Sequence, residues 1–316
     1  MSQPNMPRRG SLQYWPRKRS RHSLVRVRSW VSTAGVKPSA FIGYKAGMTQ
    51  LLIDDNHPKS MTKGTQVIFP ATIVDCPPLA VCGVAFYKFN KTMTSVLAPK
   101  LAKELGKKIQ LPKKTSASLA DIKDFDDLRL LVHSQPKLTP SGTKKPKLLE
   151  LAIGGSKDQK FKYAQDMLGK ELSASDVLGD VHLLDVKAVT KGKGFQGTVK
   201  RFGVPIRQHK AEKTKRGIGN LGSWTPKRVQ FTVAQSGKMG YHQRTEFNKE
   251  LLKIGTNGEE VTPQGGIIKY GEVKNQYLLI KGSIPGPKKK AVVLTPAIRP
   301  NKHMMKGVYT VKSVLQ

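Results

Sequence analysis

The sequence has almost no cysteine, no long apolar run and, over large parts of its length, no acid. Only Cys76 and Cys82 occur among 316 residues, too far apart for a CxxC. Neither a disulfide framework nor a zinc ribbon is therefore expected. In an apolar β region such thiols read as small core fillers rather than redox groups. No stretch of 18 apolar residues exists, so no membrane-spanning helix is expected. The N-terminus is basic with no apolar segment behind it, which argues against a secretory signal and for a reducing, intracellular setting. The seven His residues show no metal-ligand spacing. No Ser-His-Asp, paired-carboxylate or HExxH arrangement can be drawn, so no catalytic residue, metal or cofactor is expected.

What the chain has in abundance is positive charge. It carries 56 Lys and Arg against 21 Asp and Glu, a formal net charge of +35. Hydrophobic residues at 38% with 29 Gly still allow a packed core, and the length suggests one or two domains. A surface this basic repels itself unless a polyanion neutralises it, and nucleic acid is the usual one. The acids are segregated. None precedes Asp54 and none follows Glu272, and twelve fall between residues 101 and 186 beside fifteen bases. That middle stretch reads as an ordinary soluble subdomain. The excess sits in three blocks, 1–53, 187–228 and 273–316, whose only acid is Glu212. Like-charge blocks are commonly interaction arms.

Hydrophobic patterning gives a coarse architecture. Residues 1–38 are rich in Arg, Ser and Pro, without helical or alternating periodicity, and read as an arm that orders on its partner. Strand-like runs follow at 41–44, 48–53, 65–69, 71–76 and 79–89, separated by turn residues, as in an antiparallel sheet or barrel. Residues 97–105 and 157–168 have helical spacing, 118–128 suggests a short helix, and Ser173 or Ser175 suits a helix cap. Strands are expected at 129–133 and 148–153. The β signal returns at 181–189, 229–233, 266–270, 277–280, 291–294 and 307–314. The expected fold is mainly β: an antiparallel barrel from 39–95 and 178–316, an α+β subdomain inserted at 96–177, a basic extension at 1–38 and a basic loop at 190–228. About forty residues between Val189 and Val229 hold seven Gly and hardly an apolar run. A loop that long inside a compact domain is usually functional, and phosphates on both sides would order it.

Two glycine motifs, Gly192–Gly197 and Gly217–Gly222, match GxGxxG. A dinucleotide site needs that motif to end a strand and open a helix, with an acid about 20 residues on. Arg201-Phe202-Gly203-Val204-Pro205 does not read as a helix start, and HRD and DFG tripeptides are absent. The glycines read instead as points of close backbone approach to phosphate or of positive φ. Trp224 stands among Gly222, Ser223, Pro226, Lys227 and Arg228, with few apolar neighbours to bury it. Stacking on a base, or wedging into RNA, is favoured over local pinning. Tyr14, Trp15 and Trp30 admit the same reading, although Trp30 could equally begin the core.

Several of these segments resemble one known family. Ala188-Val189-Thr190-Lys191-Gly192-Lys193-Gly194-Phe195-Gln196-Gly197, with Val199-Lys200-Arg201, is similar to a hallmark of the large-subunit ribosomal protein L-three family. So are Trp224 to Val229, Gly237 to Glu246, Phe41 to Thr49 and Leu278 to Pro287. The long form with its insertion resembles archaeal rather than bacterial members. The resemblance implies a translation-factor-like barrel, a non-catalytic structural role on the large ribosomal subunit, binding of 23S-type rRNA and support of early assembly. It also implies a central loop whose tip, here Trp224, extends toward the peptidyl-transferase centre and the aminoacyl-tRNA path. Neighbours implied by analogy are L-fourteen and L-twenty-four-e, with no membrane and no homo-oligomer. Eukaryotic members carry a modifiable His where Lys215 stands in Thr214-Lys215-Arg216-Gly217, so that modification does not transfer. The rRNA contacts expected from charge and resemblance are Arg8, Arg9, Arg17, Lys18, Arg19, Arg21, Arg26 and Arg28 in the arm. In and after the loop they are Lys191, Lys193, Lys200, Arg201, Arg207, His209, Lys210, Lys213, Lys215, Arg216, Trp224, Lys227, Arg228, Lys238, Tyr241, His242 and Arg244. Lys288, Lys289 and Lys290 complete the set.

Overall fold

In a computed structural model the described residues are 8–31, 35–112, 119–122, 124–211 and 213–315. They form two compact units, one from Met1–His22 with Val189–Gln243, the other from Ser23–Ala188 with Arg244–Gln316. The strands in chain order are β1 (Phe41–Asp55), β2 (Gln66–Asp75), β3 (Leu79–Lys88), β4 (Lys91–Leu97), β5 (Asp127–Ser134), β6 (Leu148–Ala152) and β7 (Glu171–Leu172). After these come β8 (Leu183–Val189), β9 (Gly192–Gln196), β10 (Gly237–Gly240), β11 (Gln243–Gly255), β12 (Tyr277–Lys281), β13 (Ala291–Pro296) and β14 (Tyr309–Leu315). The helices are α1 (Lys157–Met167), α2 (Ala174–Leu178) and α3 (Thr198–Phe202).

The larger unit is built on a closed ring of strands, β1-β13-β8-β11-β12-β2, with β14 outside it along the second half of β1. Closure leaves the ring itself without exposed edges, the liability of open sheets. Registers such as Tyr44↔Ala291 and Tyr277↔Asp75 are antiparallel. β12 is apolar from Tyr277 to Ile280 rather than alternating because it is buried on both faces; β8 is buried along its whole length although it carries Asp185 and Lys187. Phe41, Ile42, Leu51, Ile73, Leu184, Val186, Leu278 and Val293 belong to one core cluster, which also takes in residues of the second sheet.

That second sheet has the order β4-β3-β5-β6, with β7 on β3. Phe125 meets Phe86 edge-on and stacks on Phe161 of α1. Ser173 caps α2: its hydroxyl accepts from the Asp176 amide, and the Asp176 carboxylate accepts from the Ser173 amide.

The sequence expectation of a mainly β fold is met, and several segments differ. β3 and β4 pair within the second sheet, not in the barrel, so the chain leaves the barrel near residue 76 rather than at the change of texture near 96. Strand composition does not encode which sheet a strand joins. The run expected to break at Pro70 is one strand. The Pro70 carbonyl accepts from Gly282, which puts its nitrogen on the β12 side, where pairing ends at Ala71. No ladder donor is lost there. The helical spacing at 97–105 yields only a 3-10 turn at Lys103–Lys107. The short helix sought at 118–128 is a 3-10 turn, Leu119–Asp121, and part of that range lies outside the described residues. β11 was not legible because Gln243–Gly255 is rich in polar, helix-compatible residues. Residues 229–233 are irregular, with a turn at 231–232, and 266–270 contributes one bridge, Ile267↔Gly271. Residues 24–28 do alternate: Val25 and Val27 are buried while Arg26 and Arg28 are exposed. Trp30 packs against the core, as one of its two readings required.

Both thiols are buried and unpaired with each other, and burial pushes the Cys82 thiol up to about 11. A buried polar network ties the barrel to the second sheet. Asp75, fully enclosed, accepts from the Tyr270 hydroxyl at 2.7 Å and from Asn275 Nδ2 at 3.1 Å. Asn275 also donates to the Leu138 carbonyl. Beside it, the Tyr44 and Ser134 hydroxyls lie 2.8 Å apart. Desolvation raises the Asp75 carboxyl, and these donors oppose the shift. Tyr270→Phe removes a donor from a buried carboxylate, so it should destabilise the protein by roughly 1–3 kcal/mol. The loss should be full at neutral pH and shrink as pH falls through the raised Asp75 pKa, where the carboxyl becomes neutral. Urea midpoints measured against pH would show this; an unchanged midpoint at neutral pH contradicts it.

Candidate nucleic-acid interface

The smaller unit contains eighteen Lys and Arg and one acid, Glu212. Its frame is a short hairpin. β9 and β10 pair antiparallel, with Gly237↔Gln196 and Gly240↔Gly192. Gly240 has φ +73°, and a Cβ there would sit 2.0 Å from the Lys191 carbonyl oxygen, so only glycine fits the crossing. After β9 the chain turns into α3, which ends at Gly203 in the left-handed conformation. The helix that sequence reading did not expect after Gly197 is therefore present, at five residues. Its preceding strand belongs to a hairpin rather than to a parallel crossover unit, so the dinucleotide reading gains nothing from it.

Two of the expected phosphate contacts turn inward and hold this frame. Arg201 donates to the carbonyls of Lys238 at 3.1 Å, Gln235 at 2.9 Å and Arg17 at 3.2 Å. Arg17 returns a bond to the Arg201 carbonyl at 3.3 Å and lies over the Phe202 ring at 4.3 Å. Trp15 stacks on Phe202, and Phe231 meets it edge-on. Trp15 is thus part of a small aromatic cluster within the unit, not a free stacking platform. A planar guanidinium satisfies several carbonyls at once, which is why Arg stands at both positions. Burial pushes the Arg201 guanidinium down from its usual value.

The arm is fastened along its length. The Ser20 amide donates to the Tyr241 carbonyl at 2.8 Å, and the His242 ring pairs with the Lys18 carbonyl through Nδ1 at 2.9 Å. Arg8 donates to the Thr232 carbonyl at 2.6 Å. The loop also folds on itself: Arg207 donates to the Ile218 carbonyl, its amide to that of Lys215, and the Thr198 hydroxyl to that of Arg216. Neither the arm from residue 8 nor the loop is structureless. The arm's Arg and the loop's carbonyls fit each other, a complementarity no local pattern reveals.

What faces outward is cationic and aromatic. Arg9, Lys18, Arg19, Arg21, Lys191, Lys193, Lys200, His209, Lys210, Lys213, Lys215, Arg216, Lys227, Arg228 and Lys238 are exposed. Arg19, Arg21 and Lys238 line an open recess of about 370 Å³ with Gly192, Gly194 and Tyr241. Backbone without side chains between cations suits a phosphate. Residues 219–231 are exposed without interruption. At their centre Trp224 is 81% accessible, with Lys227 Nζ 5.5 Å from its ring. Phe195, 70% accessible opposite Lys238 on the hairpin, is an exposed aromatic that sequence reading passed over; its place in the glycine-rich, lysine-bearing run Lys191-Gly192-Lys193-Gly194 was the available signal. The remaining expected contacts, Arg26, Arg28, Arg244, Lys288, Lys289 and Lys290, lie in the larger unit.

Comparison with known proteins agrees with this chemistry. A family model described as Ribosomal protein L3 matches residues 1–308. The chain is 46% identical over 315 residues to a protein of Methanocaldococcus jannaschii named large ribosomal subunit protein uL3, covering 96% of this chain and 94% of that one. Proteins of the same name from Methanobrevibacter smithii and Methanopyrus kandleri are 44% and 42% identical, covering 95% and 96% of this chain and 94% and 88% of theirs.

Arg201→Lys keeps the charge but cannot bridge three carbonyls. Hydrogen bonds from charged donors contribute roughly 1.5–3 kcal/mol, so amide exchange across β9 and β10 should accelerate at least tenfold while the barrel amides are unaffected. Unchanged exchange in the hairpin would mean that Arg201 is not a frame residue.

Proposed function

The chain belongs to the ribosomal protein L3 family, and from that membership we propose that its basic unit anchors it to large-subunit rRNA and carries Trp224 toward the peptidyl-transferase centre. It is a structural protein of the large ribosomal subunit in the cytoplasm, archaeal in type, and not an enzyme. Exposed Lys and Arg contact phosphates and supply most of the affinity, with steep salt dependence. The recess beside Gly192 and Gly240 admits backbone phosphate. Binding supports early assembly, and the neighbours are ribosomal proteins, L-fourteen and L-twenty-four-e by family analogy, with aminoacyl-tRNA passing close to the loop tip.

The observation that carries this reading is Trp224, a large flat side chain left open to solvent beside the exposed Lys227 and Arg228. An indole so exposed contributes nothing to the unit's own packing, whereas stacking on a nucleotide is worth roughly 1–3 kcal/mol. Co-sedimentation with large subunits tests the assignment as a whole. Trp224→Ala tests the tip: subunit yield should hold, because phosphate contacts elsewhere remain, while aminoacyl-tRNA binding rates change. Collapse of the yield with normal tRNA binding in surviving particles would make Trp224 an assembly anchor instead.

A further inference from the structure

Two strands of the barrel run on past its closed ring. β13 pairs with β1 only over residues 41–44, and β12 pairs with β2 only over 71–75. Beyond those registers, residues 50–55 and 66–70 continue as an arm, paired with each other. A two-stranded hairpin is marginal by itself. This one carries an organised tip. The Asp55 carboxylate accepts from the His57 amide at 2.9 Å and from the Ser60 and Thr62 hydroxyls at 2.7 Å each, and Met61 stands fully exposed between those two residues. β14 adds the third strand of the arm, in a register from Gln50↔Leu315 to Asp55↔Tyr309.

Little holds β14 along most of its length. None of its residues is buried, and among the described residues no strand pairs with its outer edge. Its ion pair, Lys312 with Asp54 at 3.1 Å, lies at the surface, where such pairs contribute little. The foot of the strand is different. Tyr309 meets Phe69 of β2 edge-on, with ring centroids 5.1 Å apart. Lys281 Nζ, at the end of β12, lies 3.9 Å from the Tyr309 ring and 4.2 Å from the Phe69 ring. The same ammonium is 3.3 Å from Oε2 of Glu250, a buried residue of β11, and His182 Nε2 is 3.6 Å from the other carboxylate oxygen. One cation therefore joins the last strand to three strands of the ring. An ammonium over two aromatic faces is attracted to both, more strongly where water is kept away.

We propose that β14 is a strap across the arm and that Lys281, boxed by Tyr309, Phe69 and Glu250, is the residue that fastens it. Closed, the strap stiffens residues 50–55 and 66–70 and holds the tip loop in place. Open, it frees the arm, while the ring, which closes without β14, stays folded. Such opening is a sub-global event with its own free energy, separate from that of the whole unit. This device stands apart from the rRNA reading and holds or fails by itself. The competing role for Lys281 is internal to the barrel, as the counter-charge of Glu250 alone.

The test is amide hydrogen exchange on the full chain, read segment by segment. K281Q should accelerate exchange in β14 and in residues 50–55 by about tenfold, with the amides of β8 and β13 unchanged. Removing Lys281 also strands a buried carboxylate, which loosens a barrel for a different reason. Two further variants separate the causes. K281Q/E250Q removes both charges, and Y309L leaves the pair of Lys281 and Glu250 in place while taking away one wall of the box. Both should open the strap. K281R, which keeps a cation over the rings, should hold it closed, and K312Q, on the exposed stretch of β14, should change nothing. If Y309L and K281Q/E250Q leave exchange in β14 as it was, the fastener is refuted. If K281Q accelerates β8 and β13 as much as β14, and K281Q/E250Q restores them all, Lys281 serves only Glu250 and the proposal fails.

Discussion

Mutual repulsion among 35 uncompensated positive charges is the constraint on which this structure turns. Like charges a few ångströms apart interact strongly wherever water is excluded, so the cations have to be kept out of the apolar core or tied to dipoles. The ring of β1, β13, β8, β11, β12 and β2 does the first. Its apolar interior admits few charges, and those few are held: Lys45 donates to the Ile284 carbonyl and Lys187 to Thr295 Oγ1. Asp185 accepts from the Asn248 and Ile298 amides.

The smaller unit solves the same problem by different means. With a single acid in its sequence, it has almost no carboxylates to draw on, and the arginines that frame it are satisfied by backbone carbonyls instead. Arg17, Arg201 and Arg207 each reach main-chain oxygens across the unit. A carbonyl carries only a partial charge, so it organises an arginine without neutralising it. The unit thereby acquires a shape while its net charge remains available to a polyanion. A frame built from salt bridges would have cancelled that field.

This division also separates residues that look alike in composition. Arg201 and Arg216 stand in the same basic stretch, one turned inward on three carbonyls and the other exposed. Trp15 and Trp224 both stand beside basic runs in the sequence. Trp15 found Phe202 and Phe231, whereas Trp224 lies in a run where every neighbour is exposed. Positioning and contacting are therefore distinct duties within one cationic surface, and a count of basic residues conflates them.

Much was legible in the residues. β1, β5, β6, β12 and β13 stand where apolar and β-branched residues recur, because strand formation there follows from local patterning and burial. The three acid-poor blocks announced a polyanion partner, because net charge is a property of composition, and the motifs around Gly192, Trp224 and Gly237 pointed to the family. Other features had to wait for the fold. Nothing near β3 records that its partners are β4 and β5 rather than β2, since pairing joins residues distant in sequence. Arg17 and Arg201 could not be told from their exposed neighbours, because the carbonyls they reach lie on distant segments. The sequence determined what the chain is made to bind and where its strands form, since both depend on local composition. Only tertiary structure decided which cations face solvent together, because that depends on which distant segments pack side by side.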